Sequence, residues 1–221
     1  MASPDPAASA APPSSLVLPI FPLPDVTFFP HTFLPLHVFE ARYRAMVIDA
    51  LARDRRLCVV RLLPGYEERY DGKPPVASVA GAGEIVRCER LSNGRFNILV
   101  RGLWRLRIER ELPTDTLYRV VQGRCLTEEP AVADLAPTVA RIRGACGRLL
   151  KALERPGDVL DGALSADQPA AAIADRVAAA FVPDVRLRQE LLETLDVQRR
   201  VERVAEALDA LLDELGGGSR R

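Results

Sequence analysis

The stretch LVLPIFPLPDVTFFPHTFLPLHVFEARYR, residues 16–44, decides how this chain is read. Five prolines, Pro19, Pro22, Pro24, Pro30 and Pro35, divide it into short apolar runs. Proline fixes φ and has no backbone N–H, so neither a helix interior nor a central strand holds this density. Short, bent strands with an open edge can. After Pro35 the period changes. Phe39, Tyr43, Met46, Val47, Ala50 and Leu51 follow at helical steps and form one apolar face. The spacing predicts a proline-broken ribbon that feeds a packed helix over 38–53, whose polar face carries Glu40, Arg42, Arg44 and Asp49.

Downstream, LCVVRLL at 57–63 has the length and content of a strand. PGYEERYDGKPP at 64–75 is a loop by its turn chemistry, long for a connection, and it holds Tyr66 and Tyr70. Residues 76–108 read as sheet. Asn93-Gly94 between two β-like runs signals a hairpin, since both central residues tolerate positive φ. Gly102 marks a bulge or bend, and beyond it Trp104, Leu106 and Ile108 fall on the core face. A last strand covers about 117–126.

The chain then turns helical. Leu135, Val139, Ile142, Cys146, Leu149, Leu150 and Leu153 recur at helical steps, and Pro156-Gly157 ends the run. Gly144 and Gly147 each weaken that helix by about 1 kcal/mol relative to alanine, which points to a neighbour that approaches closely. Further helices are predicted over 169–181, 185–195 and 197–215, with Asp184 and Asp196 as N-caps of the last two. The final stripe, Val197, Val201, Val204, Leu208, Leu211, Leu212 and Leu215, must dock. Each of those side chains stabilises by about 1.5–3 kcal/mol when buried. The dock is the other three helices or, as the alternative, a coiled-coil partner. Strands first and helices after predict an α+β chain: a β-rich part over 16–129 with one inserted helix, then a bundle of about four helices over 130–215.

Composition narrows the function. With 221 residues, 48% of them apolar, the chain has room for one or two cored domains. Thirty basic and thirty acidic residues cancel, so nothing pulls it generally toward nucleic acid or an anionic membrane. Four cysteines without a C-x-x-C pair read as buried free thiols of a reducing compartment. With His31 and His37 the sole histidines, no ligand cluster has workable spacing, and neither metal nor cofactor is expected. MASPDPAASAAPPSS at 1–15 lacks the charged start and apolar core of a signal peptide. It and GGGSRR at 216–221 read as disordered tails. No apolar window spans a bilayer, so the expected address is cytoplasmic.

Four stretches carry a family likeness. They are LPIFPLPDVTFFPHTFLPL with its following helix, GAGEIVRCE, NGRFNILVRGLWRLRI, and IADRVAAAFVPDVRLRQELLETLDVQRRVERVAEALDALL. Together, over about 16–215, the chain resembles the N-terminal substrate-binding domain of Lon proteases. PLHVFEARYRAM and GYEERYDGKPP are similar to the stand-alone bacterial members that lack ATPase and peptidase domains. The resemblance implies a twisted, PUA-like β pseudo-barrel followed by a helical bundle. It implies a non-catalytic module for unfolded or flexible polypeptide, an adaptor or chaperone-like binder in protein quality control. A separate protease or a second copy of the chain is an implied partner.

The residues agree that the chain is not an enzyme. Gly72-Lys73 is followed by Pro74, and Glu67 stands where a phosphate-binding loop has its first glycine. Lys73 and Lys151 are the only lysines for a serine–lysine dyad, and neither has a serine in a nucleophile turn. Proline-broken edge strands, aromatics and a long loop are instead the ingredients of strand addition or groove binding. Candidate anchors are Phe28, Phe29, Phe33, Tyr66 and Tyr70, each with a core position as the alternative. Glu40 and Arg42 are the candidate polar contacts. The second reading is RNA, since the PUA fold binds RNA in other families. Arg87, Arg90, Arg95, Arg101, Arg105 and Arg107 would then form a basic stripe, although Glu84, Glu89, Glu109 and Glu111 interleave with them.

Overall fold

Pro19 and Pro22 both lie inside a strand, β1 (Leu16–Leu23). The strand tolerates them because its two halves are paired on different sides. Residues 16–19 run antiparallel to β6 (Val120–Cys125), and residues 20–23 run parallel to β3 (Arg56–Arg61). The structure, a computed structural model, describes residues 13–69, 72–155, 162, 164–165 and 167–217. Most of both expected tails, Tyr70 and the Pro156-Gly157 stop lie outside the described residues.

Six strands form one mixed sheet in the order β2 (Phe33–Val38), β5 (Phe96–Leu112), β4 (Val79–Arg90), β3, β1, β6. At 17 residues β5 is about three times the usual strand, and its length closes the sheet. One edge of β5 pairs with β4. The opposite edge pairs with β2 over 96–101 and with β6 over 106–112. Strands β5, β4, β3, β1 and β6 thus make a closed ring, with β2 outside it. Three register shifts bend the long strands, and one of them falls at Gly102-Leu103, as expected.

The hairpin between β4 and β5 forms with a different turn. Leu91 N donates to Arg95 O and Gly94 N to Leu91 O, both at 2.9 Å. Gly94 has φ of 75°, whereas Asn93 stays at negative φ and its Oδ1 accepts from Arg95 N at 3.1 Å. This is a type I turn followed by a left-handed glycine, not a two-residue turn. Past the bulge the expected alternation holds: Leu106 is buried in a core cluster, and Trp104 and Ile108 pack against it. Trp104 is half-buried beneath the Arg56 guanidinium, 5.0 Å from the ring centre, and Arg105 beside it is buried as well, at 2% exposure.

Two apolar clusters flank β3, which explains why LCVV has no polar position. Leu57 and Val59 join a cluster with Ile85, Ile98 and Val100, capped by Tyr43, Met46 and Val47 of α1 (Ala41–Leu51). Cys58 and Val60 face into the ring with Leu18, Ile20, Leu106 and Val121. The helix starts later than its periodicity predicts. Val38 still pairs with Phe96 in β2, so Phe39 precedes the helix and stands 58% exposed instead of joining the buried face.

Between β1 and β2 the chain is seated on two glycines. A Cβ at Gly81 would lie 2.0 Å from the Phe28 carbonyl oxygen, and one at Gly102 would lie 2.0 Å from that of Phe29. His31 N donates to Gly102 O at 3.1 Å, Gly102 N to Thr32 O at 2.8 Å, and Thr32 Oγ1 to Phe29 O at 2.6 Å. This seat draws Phe28 and Phe29 into the interior, at 2% and 0% exposure. They are core residues, which corrects their reading as surface anchors.

A second unit begins at Glu128. It holds α2 (Ala136–Ala152), α3 (Ala170–Phe181), α4 (Val185–Glu193) and α5 (Val197–Gly217), and α5 packs on the other three. Asp184 accepts from Arg186 N and Leu187 N, and Asp196 from Arg199 N, so both cap as expected. Along the α5 stripe Val197, Val201, Val204 and Leu208 are buried, Leu211 and Leu212 half-buried, and Leu215 exposed. Arg200 shares that face. It is buried whole, 3.2 Å from the equally buried Asp175 of α3, and also pairs with Glu128 and donates to Thr194 O at 2.7 Å. Gly144 and Gly147 are not close-approach sites. A Cβ at Gly147 meets nothing within 4 Å, and one at Gly144 meets only the tip of Arg148 at 3.5 Å. Among the described residues no helix is long and apolar enough to cross a membrane.

Alanine substitutions at glycine therefore carry opposite signs. Gly81→Ala and Gly102→Ala are expected to lower unfolding free energy by about 3 kcal/mol, because a carbonyl oxygen must move. Gly147→Ala is expected to raise it by about 1 kcal/mol. Asp175→Ala removes the buried carboxylate beside Arg200, leaves that charge to Glu128 and Thr194 O alone, and is expected to cost about 3 kcal/mol. Urea midpoints of the four variants check all three.

Candidate functional site

β2 is the strand outside the ring, and its sequence FLPLHV alternates. Leu34, Leu36 and Val38 pack on the cluster under α1, while Phe33, Pro35 and His37 face outward. Phe33 is 60% exposed. Phe39 extends the strip, its ring stacked on His37 with centroids 6.2 Å apart. Because Gly102 N bonds to Thr32 O, strand alternation turns the backbone groups of 34, 36 and 38 to β5. Those of 33, 35 and 37 turn to the second edge of β2, which pairs with no strand among the described residues. Pro35 removes one N–H from that edge.

Polar side chains border the strip. Arg101, opposite Phe33, pairs with Glu84 at 3.3 Å. His37 Nδ1 lies 2.8 Å from Asn97 Oδ1, and Asn97 Nδ2 donates to Glu89 Oε2 at 3.2 Å. The Glu89 carboxylate accepts only, so it orients the amide and leaves Oδ1 to accept from a protonated Nδ1. These bonds leave Phe33, Pro35, Leu99 and Phe39 as an apolar band with neutralised flanks. An extended chain can meet both the rings and the backbone edge there.

A second feature is a cavity of about 110 Å³, with Ile20, Pro22, Arg42, Tyr43, Leu117 and Arg119 in its wall. Arg42 Nε donates to Glu40 Oε2 at 3.0 Å, and its guanidinium stands 4.7 Å from the Tyr43 ring centre. Glu40 and Arg42, expected as separate contacts to a partner, bind each other. Arg119 donates to Glu111 Oε2 from Nε at 3.2 Å and Nη2 at 3.0 Å, and to Pro74 O from Nη1 at 2.8 Å. Lys73 Nζ sits 2.9 Å from Glu111 Oε1. Burial works to raise the Glu111 carboxyl, but hydrogen bonds and charge from Lys73 and Arg119 outweigh it and hold it below the usual range.

Of the anticipated anchors, Phe33 alone is on the surface strip. Tyr66 is half-buried before a 3₁₀ turn (Glu67–Arg69) and does not line the cavity. The hairpin arginines do not make one basic face: Arg101 is paired, Arg105 is buried, and Arg90 lies 6.0 Å over the Phe96 ring. The period-two alternation of FLPLHV is the signal that places Pro35 and His37 outward. Leu117 and Arg119 carry no such signal, because ring closure alone brings them beside Arg42. Among the described residues no group of three or more histidines, cysteines, aspartates or glutamates could hold a metal ion. The cysteines are free, and burial pushes Cys125 up to about 11 and Cys146 to about 12.

The family model of the substrate-binding domain of ATP-dependent protease La (Lon) matches residues 17–210. The chain belongs to this family. The N-terminal domain of Mycobacterium avium complex Lon protease superposes on this Lon-type domain with a TM-score of 0.70, 19% identity, and coverage of 88% of this chain and 98% of that one. It shows the shared fold. The Lon N-terminal domain protein from Xanthomonas campestris gives 0.61 and 26%, covering 86% and 96%. Lon protease 2 of Bdellovibrio bacteriovorus is 29% identical over 200 residues, 89% of this chain and 25% of the relative. Lon protease 2 of Herpetosiphon aurantiacus is 27% identical over 206 residues, 91% and 25%. The chain spans about a quarter of the length of the curated relatives it matches. What is matched is the Lon substrate-binding domain, not the peptidase domain.

Tyr118, beside the cavity, reports on this region of the Lon-type fold. Its hydroxyl donates to Asp49 Oδ2 at 2.6 Å, and burial first, then Asp49, push the phenol up to about 12. A raised value means that its contribution to stability is complete below pH 10 and is lost as pH climbs toward 12. Ultraviolet titration is expected to show a late-ionising tyrosine that Tyr118→Phe removes.

Proposed function

We propose that this chain is a non-catalytic polypeptide-binding module, an adaptor or chaperone-like binder that holds unfolded or flexible segments through the outer strip of β2. Membership of the substrate-binding family supports the class. The observation that carries the location is the pair of exposed rings, Phe33 on β2 and Phe39 just past its end, beside an edge that pairs with no strand among the described residues. Phe33 and Phe39 adjoin Pro35 and Leu99, and contiguous exposed apolar surface of this kind supports a contact site. The strip binds by shape and apolar contact, with little charge, and so accepts segments of varied sequence. A separate protease that receives the bound client, and a cytoplasmic setting, complete the reading.

A pull-down of chemically denatured against native client protein tests it. Denatured client is expected to be retained and native client not. The double variant Phe33→Ser, Phe39→Ser is expected to fold as the parent does, both side chains being exposed, and to lose roughly tenfold in affinity, the loss of one or two aromatic hot spots. Equal indifference to both client forms would sink the proposal.

A further inference from the structure

The cavity beside Arg42 and Arg119 is built for a particular piece of a polypeptide. Its walls are apolar on one side, from Ile20, Pro22, Tyr43 and Leu117. Arg42 and Arg119 line the cavity as well. Among the described residues of the ion pairs at this cavity, three cations, Arg42, Lys73 and Arg119, stand against two carboxylates, Glu40 and Glu111, an excess of one positive charge. The ion pairs also fix where that charge sits. Arg119 is held by both Glu111 and the Pro74 carbonyl, and those bonds use three of the five donors of a guanidinium. The rest of its planar fork is available to an incoming carboxylate, the group this geometry matches.

Size selects the apolar part. An engineered cavity of about 150 Å³ takes a benzene ring. At about 110 Å³ this one suits a branched aliphatic side chain better than an indole. Leu117 stands at the mouth, 70% exposed with no core role, an apolar lip over the entrance.

We infer that this cavity binds the C-terminal residue of a polypeptide, its aliphatic side chain inside and its free α-carboxylate on Arg119 and Arg42. At a chain end the carboxylate and the side chain leave the same Cα, which matches a site where apolar wall and cationic rim adjoin. An internal aspartate or glutamate would have to carry two chain segments past the same mouth. The inference rests on the polypeptide-binding reading and adds a subsite to it, on residues that the β2 strip does not use.

Fluorescence anisotropy with a labelled glycine–serine peptide ending in leucine tests it on the full chain. The free acid is expected to bind roughly tenfold more tightly than the same peptide as its C-terminal amide, the worth of one charge-assisted contact. A peptide ending in tryptophan is expected to bind no better than the amide. Leu117→Glu places a repelling carboxylate at the mouth without touching the core, and is expected to abolish the acid-over-amide preference. Arg119→Lys keeps the charge but not the fork, and is expected to lower that preference several-fold. Equal binding of acid and amide, absence of binding by both, or an amidated peptide with an internal Asp-Leu pair matching the free acid would each overturn the inference. Retention of denatured client despite any of those results leaves the polypeptide-binding proposal standing, so the two fail separately.

Discussion

Two backbone carbonyls pressed against two glycines hold the β-rich unit in its shape. The oxygens of Phe28 and Phe29 occupy the space that a Cβ would fill at Gly81 and Gly102. No other residue type leaves that space, so β4 and β5 are open there only because both positions are glycine. Seating this segment has two consequences. The Phe28 and Phe29 rings enter the core, and the chain leaves the seat through His31 and Thr32 already hydrogen-bonded to Gly102. The register of β2 on β5 is thereby set before the first β2 residue. Slippage by one residue would exchange Leu34, Leu36 and Val38 for Phe33, Pro35 and His37 on the buried face. What the unit displays to solvent therefore follows from what it hides under the loop.

The long strand β5 divides the labour. Its first part gives an edge to β2, and its last part gives the same edge to β6 and closes the ring. A closed ring has no edge to aggregate, so among the described residues β2 carries the unpaired edge of the sheet. Closure also creates the cavity, because Arg119 and Leu117 precede β6 and reach Arg42 only when β6 returns to β1 and β5. The outer strip and the cavity are both products of where a single strand changes partners.

Much of this was legible in the residues. Proline density predicted half-paired strands, Asn-Gly predicted the hairpin, Gly102 the bend, and Asp184 and Asp196 the caps, because each depends on local backbone chemistry. Failures came where a residue's environment is set by distant chain. Phe28 and Phe29 look like surface anchors beside Pro30, but Gly81 and Gly102, more than fifty positions away, decide their burial. Trp104, Leu106 and Ile108 keep the core face that alternation assigns them, but Arg105 between them is buried too, which alternation does not foretell. Arg200 lies on the apolar stripe of α5 at its proper spacing, yet only Asp175 on another helix makes its burial tolerable. Gly144 and Gly147 suggest a close neighbour, yet no other element approaches either, since a weak helix former records no reason for its presence. Of the site, the strip was half visible through Phe33, and the cavity was not visible at all.

Pro35 settles what kind of binder such a strip can be. An uninterrupted free edge would let a client zip on as a full strand, with every backbone group paired. It would also let two copies of the domain do so to each other, the hazard of exposed edges. With no N–H at Pro35 the ladder is broken in its middle. Only residues 33 and 37 can donate toward that edge, with the proline ring between them. Backbone pairing alone then gives a client little, and the flanking rings of Phe33 and Phe39 must supply the rest. Aromatic contact tolerates many sequences and releases them readily, whereas a complete strand would be slow to leave. The proline that argues against a regular strand in the sequence thus also interrupts the edge that a second chain would pair with.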